Sequence, residues 1–138
     1  MDNVAATSKM VRLYIATGFL YFIIGTILLA FSLSGAVAIS RDPIFILLLY
    51  GFVTQLIFGV SYIFVPGVSR HGGASYKAII AEYILLNAGI IVFESVALTG
   101  QKDVVLLLAG LAALIIAVLM HATNILRTII GRKSKNTV

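Results

Sequence analysis

The long apolar runs of this sequence contain the ionisable side chains Glu82, Glu94, Arg127 and His121. A carboxyl group in such a run can bind and release a proton. A neutral imidazole there can ligate haem iron, relay protons or hydrogen-bond to another helix. Because ionisable groups inside a membrane are candidates for function by default, these residues mark where chemistry is expected.

Glu82 and Glu94 have different expected partners. Glu82 lies about one helical turn inside one end of its apolar run, and Arg127 lies at the matching end of the last run. Because charges inside membranes tend to pair, the sequence predicts an interfacial ion pair between Glu82 and Arg127. Glu94 is near the opposite end, where Lys102 or Arg41 could reach it. It is also open to protonation, so it either anchors a loop or carries a proton.

His121 is the one residue considered for a cofactor contact, with haem as the candidate ligand. The other histidine, His71, lies in a connecting segment, and no two histidines share a helix face at ligand spacing. The alternative for His121 is a hydrogen bond to another helix. The sequence contains no phosphate-binding glycine loop, no nucleophile beside a base and no metal-ligand array. We therefore expect no enzyme activity and no metal site, and the cofactor stays open.

The elements that must position these residues are transmembrane helices. Hydrophobic residues make up 61% of the 138 residues and charged residues 11%, whereas a soluble domain carries roughly 25% charged residues. A helix that crosses a bilayer core needs about 20 apolar residues. Four runs meet this length: 11–33, 43–65, 78–98 and 104–130. The sequence therefore predicts an all-α integral membrane protein, a four-transmembrane-helix bundle in which residues 1–138 form a single domain.

The positive charges predict the orientation of the bundle. Eight of the ten lysines and arginines lie at the start of the chain, at its end, and in the connection between the second and third runs. The other two connections hold one each, Arg41 and Lys102. Because positively charged loops stay in the cytoplasm, we expect both termini to be cytoplasmic in a multi-pass protein of the cell membrane. These charges are interpreted as topology anchors that also meet anionic lipid, not as a nucleic-acid surface.

A secretory signal is the competing interpretation of the first run. Lys9 and Arg12 precede the run, and Ala36-Val37-Ala38 after it resembles a cleavage site. The run is longer than the roughly 7–15 apolar residues of a signal core. We therefore expect the first helix to be retained.

Small and polar residues recur at helical spacing in every run, which indicates inward-facing stripes. Residues three, four and seven apart share one face of a helix. Helices in lipid associate through close packing of small residues and through hydrogen bonds, so we expect the stripes to meet inside the bundle while aliphatic faces contact lipid. The residues expected to make these interhelical polar and packing contacts are Gly51, Gln55, Gly59, Tyr62, Asn87 and Asn124.

The segment GFVTQLIFGVSYIFVPG, residues 51–67, carries a Gly-Phe, Ile-Phe-Gly, Tyr and Pro progression. It resembles the second helix of proteins related to the haem–copper oxidase catalytic subunit, including short four-helix relatives and NnrS-like membrane proteins. The segments YILLNAGIIVFESVALTGQ and VLMHATNILRTI look like later helices of that group, through an Asn-x-Gly and an Asn-x-x-Arg-Thr element. The resemblance implies a related fold and a respiratory or haem-related setting. It implies no haem ligand, because PIFILLLYG, where the family's histidines would fall, contains none.

These observations lead us to expect a non-catalytic membrane protein, a small accessory or assembly subunit of a respiratory or haem-bearing membrane complex. Two alternatives stay open. One is a protein that binds haem or a quinone-like ligand through His121, and the other is a small proton-coupled transporter that uses Glu94 or Glu82. The expected partners are the lipid bilayer and either other membrane subunits or further copies of the chain.

Overall fold

The computed structural model describes residues 2–35, 41–69, 75–100 and 103–130, with side chains for 7–35, 41–65, 75–100 and 103–130. Several residues used in the sequence analysis lie outside this part of the chain. They are the Ala36-Val37-Ala38 segment, Arg70, His71, Lys102, Arg132, Lys133 and Lys135.

Helices account for nearly all of the described residues, and no strand occurs among them. The first helix, α1, covers Asp2–Leu33. The second run begins with α2, Arg41–Phe45, continues through a π-helical segment, Ile46–Val53, and ends with α3, Thr54–Ser69. The third and fourth runs form α4, Tyr76–Thr99, and α5, Val104–Ile130.

Four helical stretches are long and apolar enough to cross a membrane: Thr7–Leu33, Arg41–Val65, Tyr76–Thr99 and Val104–Ile130. The predicted helical architecture with four potential spans is therefore confirmed, and the predicted bounds differ by at most four residues. The agreement is close because the bilayer thickness sets the length of each apolar run.

Two polar signals mark the boundary between the last two helices. Gly100 ends α4 with φ of 63°, and the Asp103 carboxylate accepts the free backbone N–H groups of Val105 and Leu106 at 3.0 and 3.2 Å.

The π-helical segment is a feature that the sequence pattern does not predict. At its end, both the backbone N–H and the side-chain hydroxyl of Thr54 donate to the carbonyl of Leu49, five residues earlier. A π-helical turn widens the helix and changes the angular relation between the residues before and after it. The segment ILLLYGFV is almost uniformly apolar, so helical periodicity alone carries no information about this change.

The four spans form a ring. α1 packs against the second span and α4, and α5 packs against α4 and α3; within the described residues the backbones of α1 and α5 stay apart. The backbones of α3 and α4 also stay apart over the described residues, although α4 contacts the π-helical segment and α2. Buried side chains link α3 to α4, and these side chains form the candidate site.

Candidate functional site

Glu82 is the centre of a buried polar cluster. It lies six residues after the start of α4, about 9 Å into the helix at 1.5 Å per residue. Its side chain is completely buried, on a stripe of α4 with Ile79, Leu86 and Ile90. An ionised carboxylate in an apolar interior is very costly unless donors surround it, so its partners decide what this site is.

Four polar side chains surround the Glu82 carboxylate. Oε1 accepts a hydrogen bond from the Tyr14 hydroxyl at 2.9 Å and lies 3.0 Å from Nδ1 of His121, within hydrogen-bond distance. Oε2 accepts from the Tyr62 hydroxyl and from Nδ2 of Asn124, the latter at 3.2 Å. These side chains lie on α1, α3 and α5, while Glu82 itself is on α4. One carboxylate therefore connects all four spans.

The imidazole of His121 makes two polar contacts and two ring contacts. Its Nδ1 faces Glu82, and its Nε2 lies 2.9 Å from Oγ of Ser61 on α3. The imidazole is stacked on the Phe58 ring, with centroids 3.8 Å apart and an interplanar angle of 5°. Tyr62 meets the imidazole edge-on at 5.1 Å. Both ring nitrogens thus have hydrogen-bond partners, so a bond from His121 to iron would have to replace one of these contacts.

The ion pair predicted between Glu82 and Arg127 does not form. Glu82 pairs with His121 instead, and Arg127 is exposed. The reason is the course of the buried stripe along α5, which runs through Ala117, His121, Asn124 and Thr128. Arg127 is one residue away from that stripe, on an outward-facing side of the helix.

A second polar cluster lies one to two turns further along α4. Oδ1 of Asn87 accepts hydrogen bonds from the Tyr21 hydroxyl at 2.8 Å and from Nε2 of Gln55 at 2.9 Å. Nδ2 of Asn87 donates to the backbone carbonyl of Tyr83 at 2.8 Å, which fixes the amide orientation. Gln55 is completely buried, and its Oε1 has no hydrogen-bond partner. The structure thus brings Gln55 and Asn87 together, whereas Asn124 belongs to the Glu82 cluster.

The predicted packing glycines lie where the second span meets α1. A Cβ added at Gly51 would lie 2.7 Å from Cγ of Tyr21, and one at Gly59 would lie 2.9 Å from Cβ of Tyr14. Both tyrosines donate hydrogen bonds to the polar clusters. The two glycines therefore let α1 approach closely enough for Tyr14 and Tyr21 to reach Glu82 and Asn87.

Glu94 is separate from both clusters. It is partly buried, and both of its carboxyl oxygens are shielded from solvent without a hydrogen-bond partner. Arg41, one of the two cations considered for it, is exposed and makes no ion pair with it. The other, Lys102, lies outside the described residues.

Sequence reasoning did not identify Ser61 and Phe58 as members of the site. Ser61 is the only hydroxyl partner of His121 among the described residues, and Phe58 is the ring on which the imidazole lies. The single signal for Ser61 is a small hydroxyl residue beside Tyr62 in an apolar run. Nothing in the pattern of α3 indicates that it meets a histidine sixty residues later in the chain.

The cluster contains a carboxyl group and an imidazole flanked by phenol groups, a set of side chains that can bind and release a proton. Within the described part of the chain, no group of three His, Cys, Asp or Glu side chains could hold a metal ion. Comparison of the chain with protein-family models, curated proteins and solved structures finds no match. The resemblance to haem–copper oxidase-related proteins therefore stays a prediction.

Proposed function

We propose that the chain is a non-catalytic integral membrane protein that serves as a small accessory or assembly subunit of a respiratory or haem-bearing membrane complex. The observation that supports this function best is that the polar side chains of the Glu82 cluster form hydrogen bonds with one another. Both oxygens of Glu82 and both ring nitrogens of His121 are engaged between helices. The bundle therefore holds itself together and offers its outer helix surfaces to lipid or to another subunit.

The outer surface includes an aromatic patch between α1 and the π-helical segment, formed by Phe19, Phe22 and Phe52. Phe22 and Phe52 have ring centroids 4.7 Å apart, Phe19 lies 5.7 Å from Phe52, and both α1 rings are exposed. Packed aromatic rings present a large and stiff apolar surface. We propose this patch as the contact with a partner helix, while the respiratory setting rests on the sequence resemblance alone.

The proposed location is the cell membrane, with both termini and the connection between α3 and α4 in the cytoplasm. This orientation is supported by the distribution of lysine and arginine. It assigns the Glu82 cluster to the cytoplasmic half of the bilayer, because the start of α4 then faces the cytoplasm.

Purification from native membranes in a mild detergent tests the subunit function. We expect the chain to migrate in native electrophoresis as part of a larger assembly whose visible spectrum and peptides reveal a haem-bearing polypeptide. Phe22→Ala should weaken that association, whereas Phe64→Ala, at an exposed ring outside the patch, should not. If the chain migrates alone, without a haem-bearing protein, the proposal is wrong.

A second candidate is a small proton-coupled transporter, and the observation that favours it is the pairing of the completely buried Glu82 with His121. Intramembrane acid–base pairs mark proton pathways in many transporters. Reconstituted vesicles with a pH-sensitive dye inside provide the test. Proton flux that is lost in Glu82→Gln and kept in Glu94→Gln would support transport, and the absence of flux in the unmodified protein would exclude it.

A further inference from the structure

The hydrogen-bond partners of Glu82 can be used to count protons. A carboxylate only accepts hydrogen bonds, and its two oxygens have room for about four. The Tyr62 oxygen lies 3.2 Å from Nδ2 of Asn124, which can only donate, so the proton of Tyr62 is free to point at Glu82. Tyr14, His121 and Asn124 supply the other three contacts. Tyr14, Tyr62 and Asn124 donate, and Nδ1 of His121 can donate as well, so an ionised Glu82 would have four donors.

The same reasoning applies to the two ring nitrogens of His121. Nδ1 lies 3.0 Å from the Glu82 carboxylate, and beside an ionised oxygen, which can only accept, this nitrogen would carry a proton. On the other side, Ser61 can donate its single proton to the carbonyl of Phe58 at 2.8 Å. In that orientation the Ser61 oxygen can accept from Nε2 of His121 at 2.9 Å, so a second proton on Nε2 has an acceptor.

The surroundings fit an imidazolium. The Phe58 ring lies parallel to the imidazole at 3.8 Å, and aromatic faces attract cations within about 6 Å. A buried carboxylate needs a counter-charge in a bilayer, and Arg127 is exposed and unpaired with it. The titratable groups that face Glu82 are Tyr14 from α1, Tyr62 from α3 and His121 from α5. Of these, His121 is the one that can carry positive charge.

We propose that His121 is a proton-binding site, in which the second proton sits on Nε2 and is received by the Ser61 hydroxyl. With this proton bound, the Glu82–His121 pair is neutral overall, and Ser61 donates to Phe58. When the proton leaves Nε2 for water, the Ser61 O–H turns from the Phe58 carbonyl to the vacated nitrogen, and the pair carries one negative charge. Ser61 is thus a positioning residue that has a hydrogen bond in either state. The site rests on its own geometry and depends on neither function proposed above.

Nitrogen NMR of ¹⁵N-histidine-labelled protein in lipid nanodiscs tests the site directly. The only other histidine in the sequence is His71, so in the His71→Gln variant every histidine signal comes from His121. We expect both ring nitrogens of His121 to show the chemical shift and attached-proton coupling of an N–H group at pH 7. A ring nitrogen with the shift of an unprotonated imidazole would overturn the proposal, whatever the partner or transport assays show.

Two substitutions in the His71→Gln background test the parts played by Glu82 and Ser61. Glu82→Gln removes the negative charge, so one ring nitrogen of His121 should lose its proton at pH 7, while Glu94→Gln should leave both signals unchanged. Ser61→Ala removes a charge-assisted bond from the protonated state and only a weaker neutral bond from the other state, so the loss of the second proton should begin at a lower pH. If both nitrogens stay protonated in Glu82→Gln, or if Ser61→Ala has the pH profile of its parent, the proposed roles are wrong. The spectrum of the parent protein is decisive even where a variant fails to fold.

Discussion

At the residue scale, the cost of burying Glu82 is offset only because its donors come from every neighbouring helix. Tyr14, Tyr62 and Asn124 each donate a hydrogen bond to the carboxylate, and Nδ1 of His121 lies within hydrogen-bond distance of it. Glu94 has no such set, since neither of its oxygens has a hydrogen-bond partner. Glu82 and Glu94 lie on the same helix, but only Glu82 has hydrogen-bond partners on other helices. We therefore expect substitutions of the two residues to differ in their effect on stability.

We predict that Glu82→Gln destabilises the protein by about 1–3 kcal/mol for each buried donor that it leaves without an acceptor. A glutamine side chain has one acceptor oxygen and one NH2 group, which can only donate. The side chains that donate to the second oxygen of Glu82 would therefore lose their acceptor. Thermal unfolding in detergent, with Glu94→Gln as the matched control, measures the difference. Equal melting temperatures for the two variants would show that the Glu82 cluster contributes little to stability.

The Asn87 cluster leads to a second prediction, based on what each substitution leaves unpaired. Asn87→Leu removes the acceptor of both Tyr21 and Gln55, so we expect a loss of about 1–3 kcal/mol for each buried donor left without a partner. Gln55→Met removes the hydrogen bond from Gln55 to Asn87, but it also removes the Oε1 atom of Gln55, which is buried without a hydrogen-bond partner. Asn87 keeps its hydrogen bond from Tyr21. We expect Gln55→Met to change the unfolding free energy by less than about 1 kcal/mol. A larger loss in Gln55→Met than in Asn87→Leu would contradict this interpretation.

At the scale of elements, glycines set how closely the helices approach one another. α4 and α5 meet at Gly89, where an added Cβ would lie 2.7 Å from the Leu114 side chain and 3.1 Å from the carbonyl of Gly110. A backbone carbonyl cannot move aside without shifting α5. The contact is therefore a property of two whole helices and not of one side chain.

We predict that Gly89→Ala destabilises the bundle by about 1–3 kcal/mol, as overpacking does in close-packed interiors. The neighbouring Ala88 is exposed, so Ala88→Leu adds more volume to the same turn of α4 on its outer side. Unfolding of the two variants in detergent is the comparison. If Ala88→Leu is the more damaging change, α4 does not pack against α5 through Gly89.

At the scale of the whole molecule, the orientation in the membrane can be tested because the sequence contains no cysteine. Ser75 precedes α4 and Asp103 precedes α5, and both are exposed. With both termini in the cytoplasm, Asp103→Cys should react with a membrane-impermeant maleimide in intact cells. Ser75→Cys should react only after permeabilisation. The reverse pattern of labelling would invert the proposed topology.

Sequence alone determined the parts of this protein that the bilayer dictates. Helix number and length follow from the thickness of the apolar layer. Only the tertiary structure decided which polar groups meet, because this depends on the rotation and height of each helix against its neighbours. A single residue step separates the exposed Arg127 from the buried Thr128, and the π-helical segment changes the rotation of the second span without any signal in its apolar residues. For these physical reasons Glu82 meets His121 and Ser61 lies beside it, although the sequence pattern predicted neither contact.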